Sequence, residues 1–161
     1  MKTLFLVRHA KSSKDDPTLA DRDRPLADRG RKEAPAMGKR LAARHVKPDL
    51  LLSSPALRAL TTAQIIADEI GCAHKDIVLD DRLYESSADG LLAVIRAFDT
   101  KLDRAMLFGH NPEFTELAHR LSNEIFEMPT CAVAEFRFDT QKWSDVGKVA
   151  PAESALDHPR K

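Results

Sequence analysis

Four side chains in this sequence have the types needed to hold and transfer a tetrahedral anion. Arg8 and His9 end the apolar run of "TLFLVRHAKSS", Arg58 follows "LLSSPAL", and His110 stands in "FGHNPEF". Arginine supplies permanently charged, fork-shaped donors that match phosphate oxygens two at a time. Histidine is a neutral nucleophile near pH 7 and a good leaving group afterwards. Guanidinium charge nearby disfavours imidazolium, so Arg8 and Arg58 are expected to hold the pKa of His9 down and keep a lone pair free. Neither His9 nor His110 belongs to an H-x-H, H-E-x-x-H or cysteine-rich pattern, so zinc ligation is not indicated and no cofactor is expected.

These residues meet only if the chain delivers them to one place. Short apolar runs at 3–7, 49–52, 76–79 and 105–108 alternate with stretches of helical period, the pattern of a parallel sheet covered on both faces. The implied architecture is a three-layer α/β fold with a mostly parallel central sheet. In such sheets ligands bind beyond the carboxyl ends of the strands, where Arg8-His9, Ser53-Ser54 and Gly109-His110 lie. A fifth run, 131–138, alternates apolar and polar residues and is predicted to be an edge strand with one wet face. Helices are predicted over 31–44 (kinked by Pro35 and Gly38), 55–70, 87–98 and 112–121. Ser54 should cap the second, with Pro55 in its first turn and Gly71 at its end, and Asn111 should cap the fourth. Leu60, Ala63, Ala67 and Ile70 form the predicted core stripe of the second helix. Helix N-termini beside the cluster would add free N–H groups for an anion.

Composition limits the partners of such a cluster. Lys+Arg number 25 and Asp+Glu number 25, so no bulk positive field serves a nucleic acid or a membrane, and any positive potential is local. No apolar stretch reaches the roughly 20 residues that span a bilayer. The start, Met1-Lys2-Thr3-Leu4, lacks the regions of a secretory signal. Cys72 and Cys131 form no C-x-x-C pair and read as reduced, partly buried thiols. A cytoplasmic location is the expectation. A chain of this size suggests one domain, here residues 1–140. A polar C-terminal tail, 141–161, should follow, anchored by Trp143 and otherwise loosely held.

The strings "LVRHAKS", "SSPALRALTTA" and "GHNP" resemble, in order, the histidine phosphatase superfamily, in particular its short SixA-like phosphohistidine phosphatase branch. The resemblance runs from Leu4 to about Phe138 and implies a phosphoglycerate mutase-like fold. It makes His9 the phosphorylated nucleophile, with Arg8, Arg58 and His110 holding the transferring phosphoryl group. The family typically has glycine after the nucleophile. This chain has Ala10 there, and alanine is common in the short branch. The resemblance also implies a carboxylic acid after the third strand as proton donor, and Glu85, in "RLYESSADG", holds a matching position. Equally, Glu85 merely precedes a helix capped by Ser86 or Ser87.

Around these, Lys11, Ser12 and Ser13 can donate to phosphate oxygens, although Lys11 can as well point into water. Asn111 is a cap or a phosphate contact. "DRDRPLADRGR" reads as a solvated loop with Arg24 at the rim of the site. The reading is a metal-independent phosphohistidine phosphatase working through phospho-His9 on a protein of histidine phosphotransfer type, with phosphate as product. An imidazole leaving group, with a conjugate-acid pKa near ~6.5, needs less protonation than an alkoxide. Only about fifty residues separate Arg58 from His110, and helix, strand and helix use them up. Larger relatives roof the pocket there, so a mutase, which needs a closed pocket, is disfavoured. The alternatives are a phosphatase of small phosphomonoesters or phosphoserine-type substrates, and a non-catalytic phosphoprotein-binding module.

Overall fold

Leu4 and Leu6 leave one face of the first strand, Phe5 and Val7 the other, and all four are buried. A strand with two apolar faces must be covered on both sides. The computed structural model describes residues 1–161. It contains six strands, β1 (Lys2–Arg8), β2 (Leu50–Ser53), β3 (Ile77–Leu79), β4 (Arg104–Gly109), β5 (Val133–Phe138) and β6 (Glu153–Asp157). They form one sheet in the order β3-β2-β4-β1-β5-β6. The β2–β3, β2–β4 and β1–β4 pairs are parallel, while β1–β5 and β5–β6 are antiparallel. Four helices cover it: α1 (Asp28–Ala43), α2 (Leu57–Ile70), α3 (Ala88–Arg96) and α4 (Glu113–Ser122). Phe5, Val7, Met106 and Phe108 pack with Met37 of α1 and Ile66 of α2. Leu4, Leu6 and Leu107 pack with Ile95 of α3 and Leu117 of α4. The result is a three-layer α/β fold of the phosphoglycerate mutase-like kind. No helix is long and apolar enough to cross a membrane.

Local chemistry explains the differences from expectation. α1 runs as one helix from Asp28 to Ala43 with Pro35 inside it. Gly38 has a packing reason: a Cβ there would lie 2.8 Å from Glu69 Cβ, so its absence lets α1 and α2 approach closely. α2 begins after Ala56 rather than at Pro55, because Ser54 is still part of the sheet edge. Leu60 is only half-buried, and Ala59 and Ile66 complete the buried stripe. Gly71 ends α2 with φ 78°, in the left-handed region. Ser87 caps α3 by accepting from Gly90 N at 3.0 Å. Asn111 Oδ1 accepts from Thr115 N at 3.2 Å at the start of α4.

Two expectations about the C-terminal part are corrected. β5 alternates as predicted, with Ala134, Phe136 and Phe138 in one core layer. It is not an edge, however, because β6 pairs along it from Arg137↔Glu153 to Val133↔Asp157. Its polar face is covered in part: Glu135 is buried and held by Arg44 and Arg137, while Arg137 itself is exposed. The tail is therefore not loosely held. Trp143 is fully buried, donates from Nε1 to Leu102 O at 2.6 Å and meets Phe98 edge-on. Farther on, Arg40 binds Asp157 and the His158 carbonyl. Replacing a buried tryptophan by alanine costs about 3–5 kcal/mol, and Trp143→Ala should lower unfolding stability by that amount in urea titration. A loss below about 1 kcal/mol would mean that the tail unfolds independently.

Candidate active site

The parallel register sets Arg8 opposite Gly109 and Ser53 opposite Phe108. Pairing continues one residue beyond each strand: His9 N donates to Gly109 O at 3.0 Å and Ser54 N to Phe108 O at 2.9 Å. Cys131 N also donates to His9 O at 3.0 Å. The backbone of three strand ends is thus locked side by side. His9 and His110 face each other with ring centroids 5.2 Å apart. Both rings are buried, as is Arg58 in the first turn of α2.

The His9 tautomer follows from its partner. Its Nδ1 lies 2.7 Å from Ala10 O, and a carbonyl only accepts, so Nδ1 carries the proton and Nε2 the lone pair. Ala10 is itself fixed: its N–H donates to Thr62 Oγ1 at 3.0 Å, and that hydroxyl donates to Arg58 O at 2.8 Å. Burial pushes the His9 pKa down to about 3 against the opposing effect of the Ala10 bond; the charges of His110, Arg58 and Arg8 add to the lowering. The guanidinium groups therefore act as expected, but burial is the larger cause. His110 is pushed down to about 4, again first by burial and then by Arg58. Its Nε2 is 2.8 Å from Ser54 Oγ, which also accepts from Ala56 N at 3.2 Å. The hydroxyl proton of Ser54 has no other acceptor within reach, and donating it to Nε2 places the His110 proton on Nδ1.

Arg58 is aimed by an acidic partner. Its Nη2 donates to Asp21 Oδ2 at 3.0 Å and its Nη1 to Asp21 O at 2.7 Å. The same carboxylate accepts from Tyr84 OH at 2.6 Å and Arg24 Nε at 3.1 Å. The Tyr84 hydroxyl, followed by the Arg58 and Arg24 bonds, holds the Asp21 carboxyl well below the usual carboxylate range. Arg8 donates from Nη1 to Met128 O at 3.0 Å. Of four buried side-chain nitrogens without a protein partner, three belong to these residues: Arg8 Nε, Arg58 Nε and His110 Nδ1. Buried polar groups are normally satisfied, and donors of this kind beside a free imidazole lone pair suit an oxyanion.

The other expected residues are placed as follows. Glu85 lines a cavity of about 440 Å³ together with Arg58 and His110. It is exposed, with φ 53° in the left-handed region. Asn111 lines the same cavity, but both ends of its amide are engaged, Nδ2 by Met128 O and Oδ1 by Thr115. Ser12 Oγ accepts from Arg24 Nη1 at 2.9 Å. Lys11 is exposed, and its side chain makes no hydrogen bond or ion pair. Sequence reasoning missed Asp21, Tyr84, Thr62 and the role of Ser54 as a partner of His110. Tyr84 is the only tyrosine, which was one available signal. Asp21 lay in a charge-alternating stretch whose side chains look alike in sequence, and Arg24, assigned to the rim, has its side chain largely buried there.

The model of the histidine phosphatase superfamily (branch 1) matches residues 4–97. A SixA structure from Agrobacterium tumefaciens, provisionally named as a phosphohistidine phosphatase, is 31% identical with a TM-score of 0.77, covering 84% of this chain and 90% of that one. A structure of the protein histidine phosphatase SixA complexed with tungstate shares the fold at 22% identity and a TM-score of 0.80, over 98% of this chain and 97% of that one. An uncharacterized chloroplastic protein of Arabidopsis thaliana is 30% identical over 152 residues, 89% of this chain and 70% of that protein. The 2,3-bisphosphoglycerate-dependent phosphoglycerate mutase of Brucella ovis is 38% identical over 86 residues, 52% of this chain but only 42% of the mutase. The chain belongs to the histidine phosphatase superfamily, in its SixA-like branch, with the phosphatase chemistry of that family.

Proposed function

We propose that the chain hydrolyses phosphohistidine on a phosphorylated protein through a covalent phospho-His9 intermediate. One observation carries this reading: the buried, neutral His9 ring is tied at Nδ1 to Ala10 O, which leaves Nε2 free, and it lies 5.2 Å ring to ring from His110 and near enough to Arg58 and Arg8 for their charges to lower its pKa. In the first step the Nε2 lone pair forms a bond to phosphorus while the bond from phosphorus to the substrate imidazole breaks, and that imidazole takes a proton from solvent water. Arg8 Nε, Arg58 Nε and His110 Nδ1 donate to the three non-bridging oxygens, where positioning and charge stabilisation supply most of the rate in phosphoryl transfer. The Ala10 carbonyl supports the positive charge that develops on His9. In the second step water attacks phosphorus, His9 leaves with its lone pair restored, and inorganic phosphate departs.

A protein substrate is supported by the span between Arg58 and His110, which α2, β3, α3 and β4 occupy without a roofing insertion. Exposed Glu85 and Glu116 leave the cavity open to a folded partner. Phosphomonoesters are the second reading, favoured by the carboxylate of Glu85 beside the cavity. The cytosol is the compartment proposed, consistent with the free thiols of Cys72 and Cys131.

His9→Ala should abolish turnover, and quenching wild type with labelled substrate in alkaline denaturant should trap phospho-His9; wild-type rates in the variant would end this reading. Glu85→Gln should lower kcat/KM at least about tenfold on an alkyl phosphate, within the range of general-acid effects, and spare phosphohistidine. Equal losses on both would remove the distinction. The depressed imidazoles also make stability pH-dependent. Unfolded histidine binds protons below about 6.5, whereas His9 and His110 in the fold stay neutral down to about 3 and about 4. Their contribution is thus fully present above pH 6.5 and lost as pH falls toward 4. A His9→Asn/His110→Asn variant should show a flatter stability profile over that window in urea titrations, and an unchanged slope would contradict the burial of neutral rings.

A further inference from the structure

Glu85 adopts φ 53°, a left-handed conformation that a residue with a Cβ keeps only when its surroundings hold it there. It is held from both sides. Before it, the Tyr84 hydroxyl donates to Asp21 Oδ2 at 2.6 Å. The Tyr84 ring meets that of His110 at 78° with centroids 5.6 Å apart, and the Arg22 guanidinium lies 5.2 Å from its own centroid. After it, Ser86 N donates to Glu113 Oε2 at 3.2 Å. Glu113 is buried at 5% exposure, and its place in the first turn of α4 offsets part of the cost of burying a carboxylate. Both anchors lead back to the phosphoryl donors. Asp21 holds the two Nη atoms of Arg58. Glu113 opens α4, whose start is fixed to His110: Phe114 N donates to His110 O at 3.0 Å. The Phe114 ring also packs so closely on Gly109 that a Cβ there would lie 2.6 Å from it.

We infer that Tyr84 and Glu113 are positioning residues for phosphoryl transfer, and that the turn 84–86 is a strut between the Arg58 and His110 arms of the site. This rests on the phosphatase reading of the cluster and adds how its donors keep their spacing. Arg58 comes from the helix after β2 and His110 from the end of β4, and no hydrogen bond joins the two side chains directly. Ser54 ties the buried edge of His110 to the segment before α2. The strut supplies the link on the cavity side, where Tyr84, Glu85 and Ser86 all line the opening. With Glu85 left-handed between them, the Tyr84 hydroxyl and the Ser86 amide reach two different elements within three residues. Misplacing a reacting group by about 1 Å can cost about a hundredfold in rate. A turn that fixes the spacing of the donors therefore acts on turnover without touching substrate.

The test reads both turnover of a peptide carrying phosphohistidine and calorimetric binding of tungstate, a tetrahedral anion. Tyr84→Phe keeps the ring against His110 and removes only the bond to Asp21. It should lower kcat/KM and tungstate affinity about fivefold each, the factor that one hydrogen bond of ordinary net strength represents. Added to Asp21→Ala, the same change should cost little more, because the hydroxyl acts through that carboxylate. Glu113→Leu should lose activity to a similar extent, whereas Glu113→Gln, whose amide oxygen still accepts from Ser86 N, should regain most of it. Glu85→Gly and Glu85→Val both lack the carboxylate, but only glycine takes φ 53° without strain, so the valine variant should bind tungstate more weakly. Tyr84→Phe keeps the test decisive even where Glu113→Leu unfolds. Wild-type kcat/KM and tungstate affinity in folded Tyr84→Phe, or a fully additive loss with Asp21→Ala, would overturn the strut. So would equal tungstate affinities in the two Glu85 variants. If the variants weaken tungstate binding while wild type leaves the phosphohistidine peptide intact, the strut stands and the phosphatase reading fails. If wild type turns the peptide over and every variant matches it, the phosphatase reading stands and the strut fails.

Discussion

Parallel pairing imposes the constraint from which the rest of this molecule follows. Because β2, β4 and β1 run in the same direction and lie side by side, their carboxyl ends reach the same edge. The bonds from His9 N to Gly109 O and from Ser54 N to Phe108 O extend that pairing past the strands. Each links the backbone of a chemically active residue to the most rigid part of the fold. A histidine on a mobile loop would sample many orientations; here the peptide before and after the ring is hydrogen-bonded on both sides, to β4 and to Cys131. Antiparallel pairing at this point would have sent one of the groups to the opposite end of the sheet.

Burial then does two jobs. It keeps both imidazoles neutral, as its leading place among the causes of their lowered pKa shows. It also strengthens the interaction of Arg8 and Arg58 with any anion placed between them, because water screens charges less there. Asp21 prevents these cations from facing each other uncompensated. By holding the Nη edge of Arg58 through its carboxylate and its carbonyl, it leaves Nε as the free donor. The Thr62 hydroxyl links the same helix turn to Ala10 and so to the nucleophile. Nucleophile and anion holder are thereby positioned by one short hydrogen-bonded chain.

Much of this was legible from residue order. The apolar runs indicated the strands because the interior of a doubly covered strand such as β1 is built of apolar residues, and the motif residues near the strand ends identified His9, Arg8, Arg58 and His110. Ser54 was recognised as a helix cap by the same rule that makes serine a good cap, which hid its bond to His110. Asp21 and Tyr84 were not legible: they lie 63 positions apart and share a 2.6 Å hydrogen bond, and no local rule connects residues at that separation. The tail was misjudged for a related reason. Residues 153–157 are short and mix polar and apolar residues without alternation, so only their pairing with β5 identifies them as a strand.

By itself, the sequence determined what is set within a few residues: which runs are extended or helical, where Gly71 ends a helix, and which side chains can carry phosphoryl chemistry. Tertiary structure alone decided which carboxylate holds Arg58, which nitrogen of each imidazole bears its proton, and that β6 closes the sheet. The physical reason is range. Propensity and periodicity act between near neighbours, whereas hydrogen-bond partners and burial depend on distant segments that meet only once the chain has packed.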